Sequence, residues 1–216
     1  DLGITYYVPL LVSNKMRWNY KGVLHEYLNN IDPISPKDKL WVEGPYSIIH
    51  EANGSSHNDP DKYMKHGEIL ETAFKEEEDA YLKSRYAFYC AQSYKDANNY
   101  DKAIEWYTYV AKNNNNWRQE KIVSCLMLGK LYFIQKSHFL DAILFLEKGM
   151  KMDPSRPECI SYLMEYYYIN GAHAHVMSWF YYFTSNKLHE KINKQVESEK
   201  LFLDNKRLYY IYYYAS

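Results

Sequence analysis

The sequence contains no run of apolar residues that approaches the roughly 18 needed for a membrane-spanning helix. It therefore predicts no membrane span. An excess of one charge is also missing, because 26 lysines and arginines stand against 27 aspartates and glutamates and the formal net charge is −1. A chain with so little net charge has no general attraction to nucleic acid or to anionic membranes.

Cysteine is scarce as well. The chain has three, Cys90, Cys125 and Cys159, and an odd number cannot all pair within one chain. They lie 35 and 34 residues apart, which predicts one small buried thiol in each of three similar structural units. This pattern favours a reducing compartment and predicts a cytoplasmic location.

Tyrosine is abundant, with 25 residues of this type. Exposed rings can stack on bases, but such a platform also needs a basic groove for the phosphates. The net charge argues against that function, so no nucleic-acid partner is predicted. The tyrosine-rich end at Tyr209–Tyr214 is expected to cap the preceding helices by burying its rings, or, if exposed, to form a partner surface.

The stretch Tyr86–Lys112 carries the clearest structural pattern. Two predicted helices flank a turn, and each presents a small residue and a ring on one face. A small residue lets two helix axes approach closely, while the rings fill the space on either side. This order of small residue, ring, turn, alanine and ring is typical of tetratricopeptide repeats. The residues concerned are Ala91, Tyr94, Asn98, Asn99, Ala103 and Tyr107.

The pattern recurs in a second copy with a longer turn and in a third, weaker copy. Two good units and one degraded unit predict a short helical-hairpin solenoid with an atypical end. The alternative is an ordinary set of antiparallel helices with tyrosine-rich faces. A solenoid of this kind is a candidate scaffold for a partner and for a homo-oligomer. The repeated positions are Gly129, Tyr132, Ala142, Leu146 and Gly149 in the second copy and Tyr162, Met164, Tyr167, Gly171, Val176 and Phe180 in the third.

The composition changes after residue 58. Before this point, the strand-like segments Asp1–Val12 and Leu40–Glu51 alternate with turn-rich loops. After it, the pattern is almost purely helical. The sequence therefore predicts a mainly α chain, with a strand-and-loop unit at residues 1–58 and a helical repeat domain at residues 59–216.

Two short sequence patterns predict where the first helix begins and where it ends. Asp59 and Pro60 are expected to open the first helix as the N-cap and the first-turn residue. The acidic run Glu76–Asp79 is expected to separate this helix from the repeats as a solvated break.

His25 and Glu26 stand side by side shortly after Gly22, where a strand is expected to end. Adjacent strand residues point to opposite faces, so both can serve one site only at such an end. A histidine beside a carboxylate can bind a divalent metal or act in acid–base catalysis. The plainer alternative is a hydrogen-bonded histidine next to a surface glutamate.

The segment RWNYKGVLHEY at Arg17–Tyr27 resembles the end of the catalytic domain in family 2-like glycosyltransferases of the GT-A fold. In that family Arg-Trp, a glycine and His-Glu follow one another. The segments SIIHEANGSSHNDPDKYMKHGEILETAF and RYAFYCAQSYKDANNYDKAIEWY resemble the family's next strand, loop and helix and the tetratricopeptide region fused behind such enzymes. The resemblance covers nearly the whole chain, most specifically Arg17–Tyr27 and Asp59–Tyr107. It implies that residues 1–58 are a short remnant of a GT-A domain.

The resemblance also implies a reaction, in which a sugar moves from a nucleotide-sugar donor to a protein or glycan acceptor. The leaving diphosphate gains charge, and a divalent cation, Mn²⁺ or Mg²⁺, or a basic side chain stabilises it. His25 is implied as a late metal ligand, with His50 as a second candidate. Glu26 is implied as the catalytic residue that orients the acceptor or shapes the sugar site. The implied substrate-binding residues are Arg17, Lys21 and Trp18, the last as a sugar platform or a packing residue.

Departures from the family pattern limit what this chain is expected to do alone. The donor-binding half and its metal-binding Asp-x-Asp motif are not in these 216 residues. The tripeptide Asp59-Pro60-Asp61 matches the pattern Asp-x-Asp, but it is predicted to start a helix and not to bind a metal. Ser56 and His57 stand where the family's loop often carries arginine. The chain is therefore expected to be the C-terminal portion of a glycosyltransferase, inactive by itself, with repeats that hold the acceptor. The alternative is a non-catalytic tetratricopeptide-like module for protein interaction.

Overall fold

The computed structural model describes residues 11–32, 59–135, 138–188 and 207–216. In this part of the chain about 70% of the residues are helical, and the strands form one two-stranded sheet. The prediction of a mainly α chain with a small β portion is therefore confirmed. Among the described helices, none combines the length and the apolar character needed to cross a bilayer.

Each helix from α1 to α7 packs against the next one along the chain, and the last helix, α8, packs against α6 and α7. Since the connections from α1 to α7 are only three to five residues long, neighbouring helices run antiparallel. The strands are β1 (Trp18–Lys21) and β2 (Tyr27–Asn30), and the helices are α1 (Lys62–Glu76), α2 (Ala80–Asp96), α3 (Tyr100–Lys112), α4 (Arg118–Ile134), α5 (Phe139–Met152), α6 (Pro157–Ile169), α7 (His173–Ser185) and α8 (Arg207–Ala215).

The two strands predicted at Asp1–Val12 and Leu40–Glu51 fall largely on residues that the structure does not describe. All of Leu40–Glu51 lies outside the described ranges. Of the first segment, Leu11 and Val12 are described and do not belong to a strand. The strands that the structure describes, β1 and β2, lie between these two segments, and β1 falls within the motif Arg17–Tyr27.

Helix α1 begins at Lys62 rather than at the predicted Pro60. The Asp59 carboxylate accepts a hydrogen bond from the backbone N–H of Asp61 at 3.0 Å and pairs with Lys65 at 2.7 Å. These contacts stabilise a turn that leads into the helix, so Asp59 does not cap the helix as predicted. The reason is that an aspartate carboxylate accepts a hydrogen bond from the backbone N–H two residues later in a turn as readily as it accepts one from the first N–H groups of a helix.

The predicted break after α1 is confirmed at residues 77–79, between α1 and α2. Asp79 then caps α2, because its carboxylate accepts hydrogen bonds from the backbone N–H groups of Tyr81 and Leu82 at 2.9 and 3.1 Å. A carboxylate at this position satisfies free backbone donors and is stabilised by the positive end of the helix dipole.

The predicted turn at Asn98 and Asn99 joins α2 to α3. Asn98 has a φ of 57°, a left-handed conformation that asparagine tolerates better than most residues. Asn99 caps α3 by accepting a hydrogen bond from the backbone N–H of Lys102 at 3.3 Å. The small residues and rings of the first repeat pattern are fully buried, as their spacing predicts: Ala91, Tyr94, Ala103 and Tyr107.

Small residues also bring the later helices close together. A Cβ atom on Gly129 of α4 would lie 2.5 Å from Cγ of Leu146 of α5, and one on Gly149 would lie 2.8 Å from Sγ of Cys159. The close approach predicted at the second repeat is therefore present. The three cysteines are buried and free, one each on α2, α4 and α6, as predicted.

Buried polar side chains connect the beginnings of α2 and α4. The side-chain amide of Asn116 donates to the carbonyl of Ser84 at 2.7 Å and to the carboxylate of Glu120 at 3.2 Å. Burial raises the pKa of Glu120, although the bond from Asn116 partly offsets this effect. These contacts fix the start of α4 against a helix 32 residues earlier in the chain.

A buried ion pair connects the beginnings of α4 and α6. Arg156 donates two hydrogen bonds to Glu158, at 2.7 and 3.3 Å, and a third to Gln119 of α4 at 2.8 Å. Arg156 and Glu158 are each only 1% exposed. A charge buried this deeply is tolerated because its partner and its hydrogen bonds replace the lost water.

A network at Glu71 ties α1 to α2 and α3. The Tyr94 hydroxyl donates to the Glu71 carboxylate at 2.7 Å, and Lys102 donates to both groups at 3.0 Å. Lys75 pairs with the other carboxylate oxygen at 3.1 Å. The bond from Tyr94 is the main cause that lowers the pKa of Glu71 to about 2, and the two lysines add to it.

Acid should weaken the chain through Glu71. Its pKa in the folded chain lies below the ordinary value of 4.5. The ionised carboxylate therefore adds fully to the free energy of unfolding above about pH 4.5, and this stabilisation is lost as the pH falls towards 2. We expect a loss of about 2 kcal/mol, less than the whole shift implies, because solvent screens this partly exposed carboxylate. Urea unfolding midpoints measured across this range check the prediction.

The matched comparison is Glu71→Gln, which removes the titrating group and should flatten this part of the pH dependence. Glu147→Gln, whose lysine partner Lys151 lies 3.4 Å away on an exposed face, should leave the pH dependence as it is. If the wild-type and Glu71→Gln chains lose stability in parallel, Glu71 does not contribute in this way.

The C-terminal helix agrees in part with the predicted cap. Helix α8 packs against α6 and α7 and buries Ile211 completely. Its tyrosines behave differently, because Tyr209, Tyr210, Tyr212 and Tyr213 are all exposed. The buried anchor is thus an isoleucine, and most of the rings form an outer surface.

Candidate functional site

The candidate site lies on the hairpin formed by β1 and β2. The strands pair antiparallel, with Lys21 opposite Tyr27 next to the connecting loop and Trp18 opposite Asn30 at the open end. Gly22 starts the loop with a φ of 111°, a conformation that only glycine adopts readily. The loop therefore turns sharply and presents His25 and Glu26 at the tip.

His25 has an unusual backbone conformation. Its φ of 55° is left-handed, which a non-glycine residue adopts only where its surroundings stabilise it. Two side chains of α2 provide this support. Arg85 donates a hydrogen bond to the His25 carbonyl at 3.1 Å, and the ring of Tyr89 stacks on the imidazole with centroids 4.0 Å apart and planes 12° apart.

The surroundings of His25 favour the neutral form of its imidazole. The stacked contact covers one ring face, although the residue as a whole remains exposed. Burial is the main cause that lowers the pKa of His25, the positive charges of Arg85 and His66 lower it further, and Glu26 opposes them. A neutral imidazole can bind a metal ion or accept a proton.

Arg85 organises the contact between the hairpin and the helices. Its guanidinium lies 4.7 Å from the ring centroid of Tyr89 and 5.3 Å from that of Tyr27. Such cation–π contacts add to the hydrogen bond that Arg85 makes with the loop. A two-stranded hairpin is marginal alone, so these contacts to α2 determine where the tip is placed.

The structure separates the predicted site residues into two groups. Glu26 is exposed beside His25, and Lys21 lies at the same end of the hairpin, with its ammonium 3.9 Å from Asp79. Arg17 and Trp18 lie near the open end, roughly 10 Å away along the strand at about 3.3 Å per residue.

The side chains of Arg17 and Trp18 also make hydrogen bonds in the hairpin and next to it. Arg17 donates to one carboxylate oxygen of Asp32 at 2.7 and 3.0 Å, and its backbone N–H donates to the other at 2.7 Å. The indole N–H of Trp18 donates to the carbonyl of Ser13 at 2.9 Å. Their assignment to substrate stays a prediction. The bonds of Arg17 to Asp32 join the two ends of the hairpin, and the bond of Trp18 to Ser13 holds the turn that precedes β1. The second metal candidate, His50, lies outside the described residues.

Sequence patterns did not indicate Arg85 and Tyr89 as part of this site. The contact between Arg85 and His25 joins residues 60 positions apart, and neither residue belongs to a motif around the His-Glu pair. The available signal was that both residues lie on one face of a predicted helix, four apart. That pattern alone does not say what packs on the face.

Binding a metal ion requires several ligating side chains to lie close together. Among the described residues, no cluster of three or more histidine, cysteine, aspartate or glutamate side chains is gathered closely enough. The described residues therefore do not by themselves complete a cation site, and the assignment of His25 as a metal ligand stays a prediction.

Comparisons with protein-family models, with curated proteins and with solved structures found no significant match. These comparisons therefore assign the chain to no family.

Proposed function

We propose that this chain is the C-terminal portion of a glycosyltransferase that moves a sugar from a nucleotide-sugar donor to a protein or glycan acceptor. The observation that carries the proposal is His25, which is exposed at the hairpin tip and held in a strained conformation by α2. Strained residues that persist because their surroundings fix them are concentrated at functional sites. The residue that is fixed here is the one that the resemblance marks as a metal ligand.

The protonation state of His25 supports this role. A histidine must be neutral to bind a metal, and burial together with the nearby positive charges lowers the pKa of His25 and so favours that form. The remaining ligands would belong to an Asp-x-Asp element that these 216 residues do not contain. When bound, a divalent cation would stabilise the charge on the leaving diphosphate.

The other residues at the tip have supporting roles in this proposal. Glu26 has an exposed carboxylate next to His25 and is proposed as the catalytic residue that orients the acceptor. Lys21 at the same end provides a positive charge for the diphosphate. Arg17 holds the two ends of the hairpin together through Asp32, and Trp18 holds the turn before β1, so both act on the tip indirectly.

In the same proposal, the hairpin is the end of a GT-A domain and helices α2–α7 are three tetratricopeptide-like hairpins. Support comes from buried residues at repeated positions of the first two copies and from the cysteines on α2, α4 and α6. The buried residues are Ala91, Tyr94, Ala103, Tyr107, Gly129, Ala142 and Gly149. Because α2 fixes the tip, an acceptor bound on the helices would be held at a defined distance from His25.

Replacing His25 by alanine tests the proposal in the native enzyme. We expect Mn²⁺-dependent binding and turnover of the nucleotide sugar to fall at least about tenfold, as for the loss of a group that supports a metal site. Helicity measured by circular dichroism should not change, because the side chain lies outside the helices. A panel of nucleotide sugars, followed by release of the nucleoside diphosphate, gives the turnover.

His138→Ala is the matched control, since His138 is also exposed and contacts a carboxylate, Asp141, at 3.3 Å. This variant should behave like the wild type. Equal turnover in His25→Ala and the wild type would remove His25 from the site. The isolated 216-residue chain should show no turnover.

The second candidate function is a non-catalytic tetratricopeptide-like module for protein interaction. The observation that favours it is the use of predicted substrate residues inside the chain, above all the paired bonds between Arg17 and Asp32. Under this hypothesis the hairpin is a structural extension of the helices. A native polypeptide without sugar transfer to any acceptor, but with a stoichiometric protein partner, would favour it.

A further inference from the structure

The C-terminal end of the helical array has an extended aromatic surface. Rings from α6, α7 and α8 point outward there, and each is between 39 and 68% exposed. We name this surface the tyrosine face, and its members are Tyr168, Tyr181, Tyr209, Tyr210, Tyr212 and Tyr213.

The tyrosine face is continuous. The ring centroid of Tyr209 lies 5.6 Å from that of Tyr210 and 6.3 Å from that of Tyr213, and Tyr212 is on the same side of α8 as Tyr209. Other members are joined through one intervening ring. Tyr214 contacts Tyr168, Tyr210 and Tyr213, and Phe180 contacts Tyr181 and Tyr212.

The size of the tyrosine face approaches that of a protein interface. The exposed fractions of its members add up to about three whole side chains. At roughly 200 Å² for each aromatic side chain, this is about 600 Å². The largest apolar patch on a typical monomer covers roughly 300–600 Å², whereas each partner contributes about 800 Å² to a standard stable interface.

The charge of the tyrosine face determines which partner fits. Its members carry no formal charge, and among the described residues Arg207 is a cation that touches it, 5.0 Å from the ring of Tyr210. Arg207 is neutralised by Glu165 of α6 at 2.8 Å. A neutral surface has no electrostatic preference for a charged partner, and it does not repel a copy of itself.

We propose that the tyrosine face is the interface of a homodimer in which two copies of this chain pair about a twofold axis. In such an interface the same patch meets itself, so it must be self-complementary. Tyrosine meets this requirement because its ring has a negative face and a positive edge and its hydroxyl both donates and accepts. Tyrosine is also enriched among the residues that dominate binding energy. This inference does not depend on sugar transfer.

Sedimentation equilibrium of the 216-residue chain over a wide range of concentrations tests the proposal. We expect a reversible dimer, and Tyr209→Ser with Tyr213→Ser should raise its dissociation constant at least about tenfold. These substitutions leave the anchors of α8, Ile211 and Arg207, in place. The control is Leu140→Ser with Leu144→Ser, an equally spaced exposed pair on α5, which should leave the dissociation constant unchanged.

Hydrogen exchange of the unaltered chain provides a second measurement that does not depend on the folding of a variant. Amides of α7 and α8 should exchange more slowly as the concentration rises, while those of α1–α3 should not change. A monomer at every concentration overturns the proposal. A dimer that the tyrosine pair does not weaken, or that protects other helices instead, overturns it as well.

Discussion

Replacing Arg156 by methionine should lower the free energy of unfolding by about 3–5 kcal/mol, the largest effect that we expect from one substitution. Arg156 and Glu158 are each 1% exposed, so the variant removes a positive charge and two hydrogen bonds from a buried carboxylate. The Gln119 side chain also loses its bond from Arg156. Urea unfolding followed by circular dichroism measures the change.

The size of this effect should depend on the loss of the ion pair between Arg156 and Glu158 and not on packing alone. A chain with Arg156→Met and Glu158→Leu together should recover part of the lost stability, because the carboxylate that lost this ion pair is then removed as well. Lys151→Met is the exposed control, and removing its pair with Glu147 should cost less than about 1 kcal/mol. A double variant that is less stable than Arg156→Met would show that the loss of the ion pair is not the main cause of the lower free energy of unfolding.

Gly129→Ala should destabilise the chain by about 1–3 kcal/mol, although alanine is the better helix former by about 1 kcal/mol. The added Cβ would lie 2.5 Å from Cγ of Leu146 and 2.7 Å from its Cδ2. Because Cγ is the branch point of that side chain, a change of rotamer at its end does not relieve the contact, and α4 and α5 must separate. Thermal or urea unfolding measures the loss.

A double-mutant cycle with Leu146→Ala shows whether this contact is the cause. We expect the two substitutions together to cost at least about 1 kcal/mol less than the sum of their separate effects, since each relieves the other. Gln92→Ala on α2 controls for helix propensity and should be nearly neutral. A Gly129→Ala chain as stable as the wild type would mean that α4 and α5 do not need a glycine here.

The two functional proposals concern different parts of the helical array. The hairpin tip with His25 is fixed to α2 near the beginning of the array, whereas the tyrosine face is formed by α6, α7 and α8. The residues that form the proposed dimer interface are therefore not those that hold the hairpin, so each proposal can fail without the other. Mutations on α8 should change association and leave the environment of His25 unaltered.

The helices and their buried positions could be predicted because helix periodicity depends only on residues close together in the sequence. Ala91, Tyr94, Ala103 and Tyr107 are buried as their spacing indicates, since residues three or four apart on a helix share one face. The turn at Asn98 and Asn99 followed from the backbone preference of asparagine. The same short-range rules misplaced the start of α1, because the Asp59 side chain stabilises a turn instead of capping the helix.

The sequence by itself therefore determined the mainly α character, the buried positions Ala91, Tyr94, Ala103 and Tyr107 on α2 and α3, and the close approach at Gly129. Only the tertiary structure decided that Arg85 and Tyr89 hold His25, that Arg156 is buried with Glu158, and that the rings of α8 point outward around Ile211. The physical reason is range: helix periodicity and turns depend on residues a few positions apart, whereas these contacts depend on how distant helices pack.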